Sequence, residues 1–486
     1  MYKRQNTNLQ IGDTFFESIG NADVFLAKMN ADASLNWALS GGSISIDESA
    51  GIALTESHVY WTGTYWLEAN FGNLNLTAKK SSKSIFLLQY TSEGTIAWSA
   101  SIHGTGTKNI NDIKSDAQGN IYLTGSFSDS LFYADTVLIA KGATDLFLLK
   151  LNDSQELLFL TQAGDLGEIV PEKLEIASDG SILLAGSFQG EASFGDIQIE
   201  TNTSDDDVFI ARFSANGESI WGRKAGGVHE QFCSALTLDE SDNIYVGGNI
   251  VGVMTLSDDI VIQSPNLVDN LFLLKYDLAG TPIWGRSMGA LDPEFVSDLQ
   301  YKENQLILSG YFRESLEIDN FTATAEANRN TGFLTSFDLA GQSQWLKVIG
   351  GDNQVFLNEI ALNNSGDLFA AGTFNESVEF DNETFSTNGL YDICIARNED
   401  LFTSSIAIDP SILNLKIYPN PAHDYISIET DLENFQADVI DIHGQILLQR
   451  YNEKNINISR LPVGTYFLKF QHLSKSYASS IRFIKL

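Results

Sequence analysis

The sequence predicts an all-β chain: a β-propeller of four-stranded blades followed by a small Ig-like β-sandwich. Three observations carry this. A central aromatic recurs at Phe25, Phe86, Phe147, Phe209, Phe272 and Phe333, with Cys394 in the seventh slot, at steps of 61 to 63 residues. Twelve residues after each phenylalanine stands a second aromatic: Trp37, Trp98, Phe159, Trp221, Trp284 and Trp345. A glycine keeps its own register at Gly63, Gly125, Gly186, Gly248, Gly310 and Gly372. A period of this length marks one supersecondary unit stacked on its copies, because a single copy cannot bury its own apolar face.

Ile110 to Gly164 shows a whole unit. Ile113 to Ser115 reads as a short strand, Asp116 to Asn120 as a turn, and Ile121 to Phe127, rich in β-branched and aromatic residues, as a second strand. A loop follows. Asp145 to Leu151 and Leu157 to Leu160 then make an outer hairpin turning at Asn152-Asp153-Ser154. In other copies this turn carries Gly94, Gly217, Gly280 or Gly341, where positive φ tightens the chain. None of these segments shows apolar residues three and four apart over a helical length. Four-stranded units repeated radially are propeller blades, which hide sheet edges by closing a ring. A β-solenoid is the alternative, but its coils are usually much shorter than about 60 residues.

The runs Asp116 to Phe127, Asp242 to Asn249 and Ser365 to Phe374, each followed by an Asp-x-Phe-type strand and usually by a Trp, resemble the secreted bacterial β-propeller repeat. The resemblance spans about residues 10 to 400. It implies a fold and an extracellular setting, and no reaction.

At the ends the repeat is incomplete. Ile11-Gly12-Asp13 stands before the first Asp-x-Phe strand as Phe194-Gly195-Asp196 stands before Asp207-Val208-Phe209, so the first two strands of that blade are missing. Leu357 to Arg397 supplies strands one to three and no fourth. Because the third strand is written in both fragments, two blades fit better than one, giving seven in an intact parent; six, closed by the amino-terminal fourth strand, is the alternative. The first five residues match nothing in the repeat and no apolar segment follows them, so a truncated reading frame without a signal peptide is expected.

The chain has 486 residues, enough for more than one domain and a large core. Its apolar runs are strand-sized and interrupted by Lys or Asp, so no transmembrane segment is expected. It carries 29 Lys and Arg against 63 Asp and Glu, a formal net charge of −34. From Ser411 onward there are eight Lys plus Arg and seven Asp plus Glu, so the repeats hold the excess. Such a field repels nucleic acid and anionic lipid heads, and no nucleic-acid partner is expected. Cys233 aligns with Ile110, Val296 and Leu357, and Cys394 with six phenylalanines, so both read as buried free thiols.

After Arg397 the repeat stops. The expected domains are a propeller over 1–402, a linker over 403–412 and a second domain over 413–486. The latter opens with Leu415-Lys416-Ile417-Tyr418-Pro419-Asn420-Pro421, where two prolines end the first strand. Strands follow at Tyr425 to Glu429, Ala437 to Ile442, Gln445 to Leu448, Ile456 to Ile458, Gly464 to Phe470 and Ser479 to Lys485, enough for a small sandwich. Tyr418-Pro419-Asn420-Pro421, the turn Asp441-Ile442-His443-Gly444, Leu461-Pro462-Val463-Gly464-Thr465-Tyr466 and the terminal Phe483-Ile484-Lys485-Leu486 closely resemble the carboxy-terminal sorting domain of proteins exported by the type IX secretion system of Bacteroidetes. The resemblance implies that Tyr418, Pro419, Asn420, Pro421, Gly444, Gly464, Tyr466 and Lys485 form the sorting motif. It also implies the secretion machinery as partner and a secreted or outer-surface destination.

Chemistry in the propeller is harder to find. The turns at Asp116, Asp179, Asp242 and Ser365 look like carbohydrate-enzyme Asp boxes but lack the following Trp, and Asx-turn chemistry explains them without a ligand. Asp205-Asp206-Asp207 lacks the alternating oxygen donors of a calcium loop, so calcium is only a weak alternative to a solvated run and no cofactor is expected. No histidine pairs with a ligand at metal-site spacing. The loops entering the innermost strands bring His229, Glu230, Asp292, Glu294 and Asp352, with Asp165 and Glu168, toward the central funnel as candidate ligand contacts. One register further in, Asp112, Asp298 and Glu359 align, but Lys173 and Ala235 share the slot, so no acidic ring forms. The near-constant period argues against a catalytic pocket built by long insertions. A binding or scaffolding propeller for an extracellular protein or glycan is therefore expected; the alternative is a polysaccharide hydrolase or lyase using funnel carboxylates. A deep funnel with two carboxylates of perturbed pKa would favour the enzyme.

Overall fold

A computed structural model describes residues 9–11, 14–30, 34–78, 82–201, 205–326, 328–363, 366–380, 383–387, 390–398, 406–407, 416–430, 435–440, 446–472 and 477–486. Every regular element among them is a strand. The chain divides into two compact units, Met1–Ile360 with Ala371–Cys394, and Ala361–Ala370 with Ile395–Leu486.

The first unit is the propeller. Its second complete blade runs Lys108–Ser115, Ile121–Phe127, Asp145–Leu151 and Leu157–Ala163, antiparallel and in chain order from the axis outward. The same order recurs in blades that begin at Glu48, Glu168, Gln231 and Glu294. The fragments at the two ends stay separate: Leu35–Ser43 pairs with its own third strand, Val24–Met29, and the last repeat gives a three-stranded sheet.

The two sequence registers turn out to be one cross-strand pair. Gly125 lies opposite Phe147, Gly186 opposite Phe209, Gly248 opposite Phe272 and Gly310 opposite Phe333. A Cβ on Gly125 would fall 2.1 Å from the Asn109 carbonyl oxygen and 2.8 Å from the Phe147 ring, so the buried phenylalanine and the innermost strand leave no space for one. Burial of these rings removes a large apolar area from water in every blade.

The segment after the second strand, expected as a loop, is a hairpin. In the second blade it is Ser130–Tyr133 with Thr136–Ile139. Comparable hairpins extend the outer strand of the preceding blade: Gly41–Ser43 pairs with Ala69–Phe71, and Gly226–Val228 with Val253–Thr255. Each strand of four or five residues is too short to show a period of its own, yet together they cover sheet edges that would otherwise be open. The innermost strand also begins earlier than expected, at Lys108 rather than Ile113, because a β-bulge at Asn111 interrupts its alternation.

The second unit holds two sheets. One pairs Ile406–Ala407, Tyr477–Lys485, Gly464–His472, Phe435–Ile440 and Ile446–Tyr451, and the other pairs Lys416–Tyr418, Tyr425–Glu429 and Asn455–Asn457. Their inner faces bury Ile426, Ile428, Phe435, Val439, Ile456, Leu468 and Phe483. Ile406–Ala407, expected within the linker, adds a parallel strand beside Tyr477–Ala478.

Candidate functional site

The innermost strands line the propeller axis, and all five complete blades interrupt their first ladder at the same place. Register shifts fall between Ser49 and Gly51, Ile110 and Asp112, Pro171 and Lys173, Cys233 and Ala235, and Val296 and Asp298. A bulge leaves one residue unpaired and re-aims its side chain. Four of those residues, Asn111, Glu172, Ser234 and Ser297, line a cavity of about 600 Å³. Glu168, Lys173, Gln189, Asp206, Phe232 and Glu359 complete much of its wall.

The residue after each bulge is already engaged. Asp112 accepts the amide of Ile113 at 2.8 Å and, across to the next blade, the amide of Leu174 at 2.9 Å. Asp298 repeats this with Leu299 at 2.9 Å and Ile360 at 3.1 Å. In the same slot Lys173 reaches Glu359 at 3.4 Å and Asp298 at 3.9 Å. Burial lowers the lysine's pKa, but Asp298, Glu359 and Asp112 outweigh it and hold the ammonium above its ordinary value. The expected absence of an acidic ring thus has a cause in contacts: the acids bond backbone amides and the lysine stands among them.

Three carboxyls on the cavity wall, Glu172, Glu359 and Asp206, are shifted upward. Burial pushes Glu172 up to about 7, opposed by a 3.4 Å hydrogen bond from the Asn111 amide group and by Lys173. The channel walls push Glu359 up to about 7 against the pull of Lys173. Cys233 is a buried free thiol whose pKa burial raises, and Cys394 is another, raised to about 11.

Four of the loop residues anticipated as funnel contacts, Asp165, Asp292, Glu294 and Asp352, are held by neighbours outside this cavity. Asp292 accepts the Ser315 hydroxyl at 2.6 Å, and Asp352 accepts that of Ser377 at 2.8 Å. Asp165 does the same with Ser193 at 2.5 Å. Each ties the loop entering a blade to that blade's short hairpin. Glu294 is fully buried, accepting the Asn270 amide group at 2.9 Å and the backbone N–H of Ala290, and burial pushes its pKa up to about 7. His229, at φ 70°, and Glu230 are exposed in the loop before Gln231. Glu168 does line the cavity. Sequence reasoning missed Glu172 and Phe232. The recurring serines at Ser130, Ser193, Ser315 and Ser377 could have separated hairpin-bound acids from free ones.

Asp116 forms the anticipated Asx turn, accepting the amides of Gln118 and Asn120 at 3.0 and 2.9 Å and the Tyr122 hydroxyl at 2.9 Å. Asp207 is buried, accepts the Gly227 amide at 3.0 Å and faces Lys224 at 3.5 Å. Among the described residues no group of three or more His, Cys, Asp or Glu could hold a metal ion.

In the second unit, the Tyr418-Pro419-Asn420-Pro421 segment meets the last strand. The Asn420 side-chain oxygen accepts the Ile484 amide at 3.0 Å, and Ala422 exchanges backbone bonds with Ile484 and Leu486 at 2.8 Å each. The Lys485 ammonium donates to the Leu486 carbonyl at 2.6 Å. Tyr466 stacks on Phe483 at 5.8 Å and donates its hydroxyl to the Pro462 carbonyl at 2.8 Å, closing the loop before Gly464. Gly444, with Asp441 to His443, lies outside the described residues.

A bladed propeller with a cavity lined by its innermost strands, and a sandwich whose terminal strand is clasped by a proline-rich segment, define a repeat-built protein with an accessory terminal domain. Residues 416–484 match the family described as the secretion system C-terminal sorting domain. The chain therefore carries a type IX secretion sorting domain, and the protein is exported, secreted or held at the cell surface. Its export involves the type IX secretion machinery. Among the described residues no helix is long and apolar enough to cross a membrane.

An uncharacterized WD repeat-containing protein of Acanthamoeba polyphaga mimivirus is 22% identical over 479 residues, covering 80% of this chain and 34% of that protein. The regulatory protein FlaEY of Caulobacter vibrioides is 24% identical over 297 residues, covering 53% of this chain and 30% of its own. The chain thus spans about a third of the length of the curated relatives it matches. Among solved structures, PorZ, an essential surface component of the type-IX secretion system of Porphyromonas gingivalis, aligns with 13% identity and a TM-score of 0.35 over 90% of this chain and 59% of that one. The extracellular domain of a putative one component system from B. thetaiotaomicron aligns over 99% of this chain and 98% of that one, with 10% identity and a TM-score of 0.18.

Proposed function

We propose that this is an exported binding protein whose propeller, residues 1–402, takes an extracellular partner at the axial cavity, while residues 413–486 direct export. The observation that carries this is the engagement of the axial acids. With Asp112 and Asp298 committed to backbone amides and Glu359 to Lys173, the channel offers a shaped polar wall that carries the aromatic Phe232. Asp292, Glu294 and Asp352 then act as supports of the loops that enter the blades, and His229 and Glu230 are exposed in the loop before Gln231. The test probes the full chain and its Phe232→Ala variant on arrays of extracellular proteins and polysaccharides. Loss of a hit in a variant that still melts like the parent supports the reading; unchanged binding removes the cavity from it.

A second reading, hydrolysis or lyase chemistry on polysaccharide, is favoured by Glu172 and Glu359, two carboxyls on one cavity wall both raised to about 7. Glu172→Gln and Glu359→Gln decide between them. If the parent degrades a polysaccharide and either variant does not, catalysis replaces binding.

A further inference from the structure

We propose that the axial cavity receives a cationic side chain, a lysine or arginine of a basic peptide segment, with Glu172 and Asp206 as counter-charges and the Phe232 ring as its apolar wall. This rests on the binding reading above.

Five positions carry the repeated bulge in the complete blades, occupied by Ala50, Asn111, Glu172, Ser234 and Ser297. Glu172 is the ionisable one, and it makes no ion pair among the described residues although it faces the cavity. A half-buried carboxylate whose neighbouring cation, Lys173, is already held by Glu359 and Asp298 is costly to the folded protein, and a ligand cation removes that cost on binding.

The rest of the wall has the same sign. Glu168, Asp206 and Glu359 line the cavity with Glu172, against Lys173, whose ammonium is held by Glu359 and Asp298. Burial raises the Asp206 carboxyl first, and its acidic neighbours Glu168, Glu230, Asp205 and Asp207 raise it further. Phe232, 36% exposed, presents its ring to the same cavity. A ring face beside carboxylates attracts an ammonium or guanidinium through its quadrupole while the stem packs on it. A neutral sugar would leave these charges unpaired. At longer range the net charge of −34 draws basic partners inward. Leu166, just before Glu168, and Leu291, in the equivalent loop two blades on, are 75% and 79% exposed and supply apolar contacts for the flanks of such a peptide.

The experiment titrates the full chain with an arginine-containing octapeptide and with the same peptide carrying citrulline, a neutral isostere, at each arginine. The arginine peptide should bind, the citrulline peptide at least about tenfold more weakly, and Glu172→Gln and Asp206→Asn should each weaken the arginine peptide by about tenfold or more. Asp258→Asn with Asp259→Asn, two exposed acids in a hairpin turn, removes charge without touching the cavity and should leave binding within about twofold. Equal binding of the two peptides, or equal loss in the hairpin variant, overturns the proposal, because attraction would then be nonspecific. If neither peptide binds while Phe232→Ala abolishes an array hit, the cationic assignment fails and the binding reading stands. If no peptide binds and no array hit depends on Phe232, both fail.

Discussion

Trp221 donates its indole N–H to the carbonyl of Leu278, 57 residues further along the chain, at 3.2 Å. Arg212, on the strand beside it, donates to the same oxygen at 3.0 Å. The arrangement repeats: Trp37 and Lys28 both reach the Ser92 carbonyl at 3.0 Å, and Trp284 and Lys275 reach that of Leu339 at 3.3 and 3.4 Å. The indole also lies on the turn glycine of the next blade. A Cβ on Gly280 would come 2.9 Å from Trp221, and Gly280 itself sits at φ 78°. The outer aromatic and the turn glycine are thus two halves of one joint between blades.

Trp221→Ala should therefore destabilise the propeller by about 3 to 5 kcal/mol, since it leaves a void and takes one of two donors from the Leu278 carbonyl at a joint where the ring is 5% exposed. Trp221→Phe keeps most of the packing and drops the hydrogen bond, so it should cost nearer about 1 kcal/mol. Urea unfolding of both variants checks the order; a Trp221→Phe variant as stable as the parent would deny the hydrogen bond any share.

The joint explains which parts of the fold were legible in the sequence. Phe272, Gly248, Trp221 and Gly280 each solve a steric problem that only one or two residue types can solve, so they recur and their spacing can be read. Asp292 and Ser315 solve theirs with a hydrogen bond across 23 residues, and Thr105 with Ser130 does the same work in another blade. The serines recur at Ser130, Ser193, Ser315 and Ser377, but their partners Thr105, Asp165, Asp292 and Asp352 differ in type, and Asp292 looked like a free funnel acid. The cavity was hidden for a different reason. A bulge shifts the alternation by one residue, so Glu172 stands beside the slot in which Lys173 was read, and its exposure to the channel follows from backbone geometry alone. In the second unit the proline-rich segment and the terminal strand were both legible, but their mutual contact was not.

Gly248→Ala should be among the most damaging small substitutions in the chain. The new Cβ would lie 2.0 Å from the Phe232 carbonyl oxygen and 2.7 Å from the Phe272 ring, so the innermost strand must shift. The expected loss is at or above the upper end of the about 1 to 3 kcal/mol typical of overpacking. Gly247→Ala, with its nearest neighbour at 3.5 Å, is the internal control and should cost far less in the same thermal melt.

Stability should fall as pH rises from about 4.5 through about 7, and Glu294 should account for part of the fall. Burial raises its folded-state pKa to about 7, above the 4.5 of the free side chain. A raised pKa means the folded form holds the proton more tightly. Its contribution is thus present in full below about 4.5 and is lost as pH rises through about 7, a change on the order of 3 kcal/mol. Glu294→Gln removes the titration. Gln231 occupies the matching place one blade earlier, accepting from the Gly227 amide at 3.1 Å and donating to the His229 carbonyl at 2.7 Å, so the amide is compatible with this backbone. Melting temperatures between pH 5 and 8.5 should decline less steeply in the variant; parallel curves would exclude Glu294 as a contributor.

The clasp in the second unit gives the last prediction. Asn420 and Ala422 hold Ile484 and Leu486, and Phe483 packs between Tyr466 and the sandwich core, so the terminal strand is fixed at both its edge and its inner face. Removing residues 416–486 takes away the whole sorting domain, and a chain so shortened should accumulate in the periplasm of a native host. Asn420→Ala removes one acceptor from the clasp and should cost the sandwich about 1 kcal/mol, leaving the fold of the propeller untouched. Export should then drop only as far as the sandwich unfolds. The measurement is the distribution of the protein between periplasm, cell surface and medium for the parent and both variants. Full surface display after deletion of 416–486 would show that export does not depend on this domain, whereas a severe export defect in a fully folded Asn420→Ala variant would place recognition on Asn420 itself.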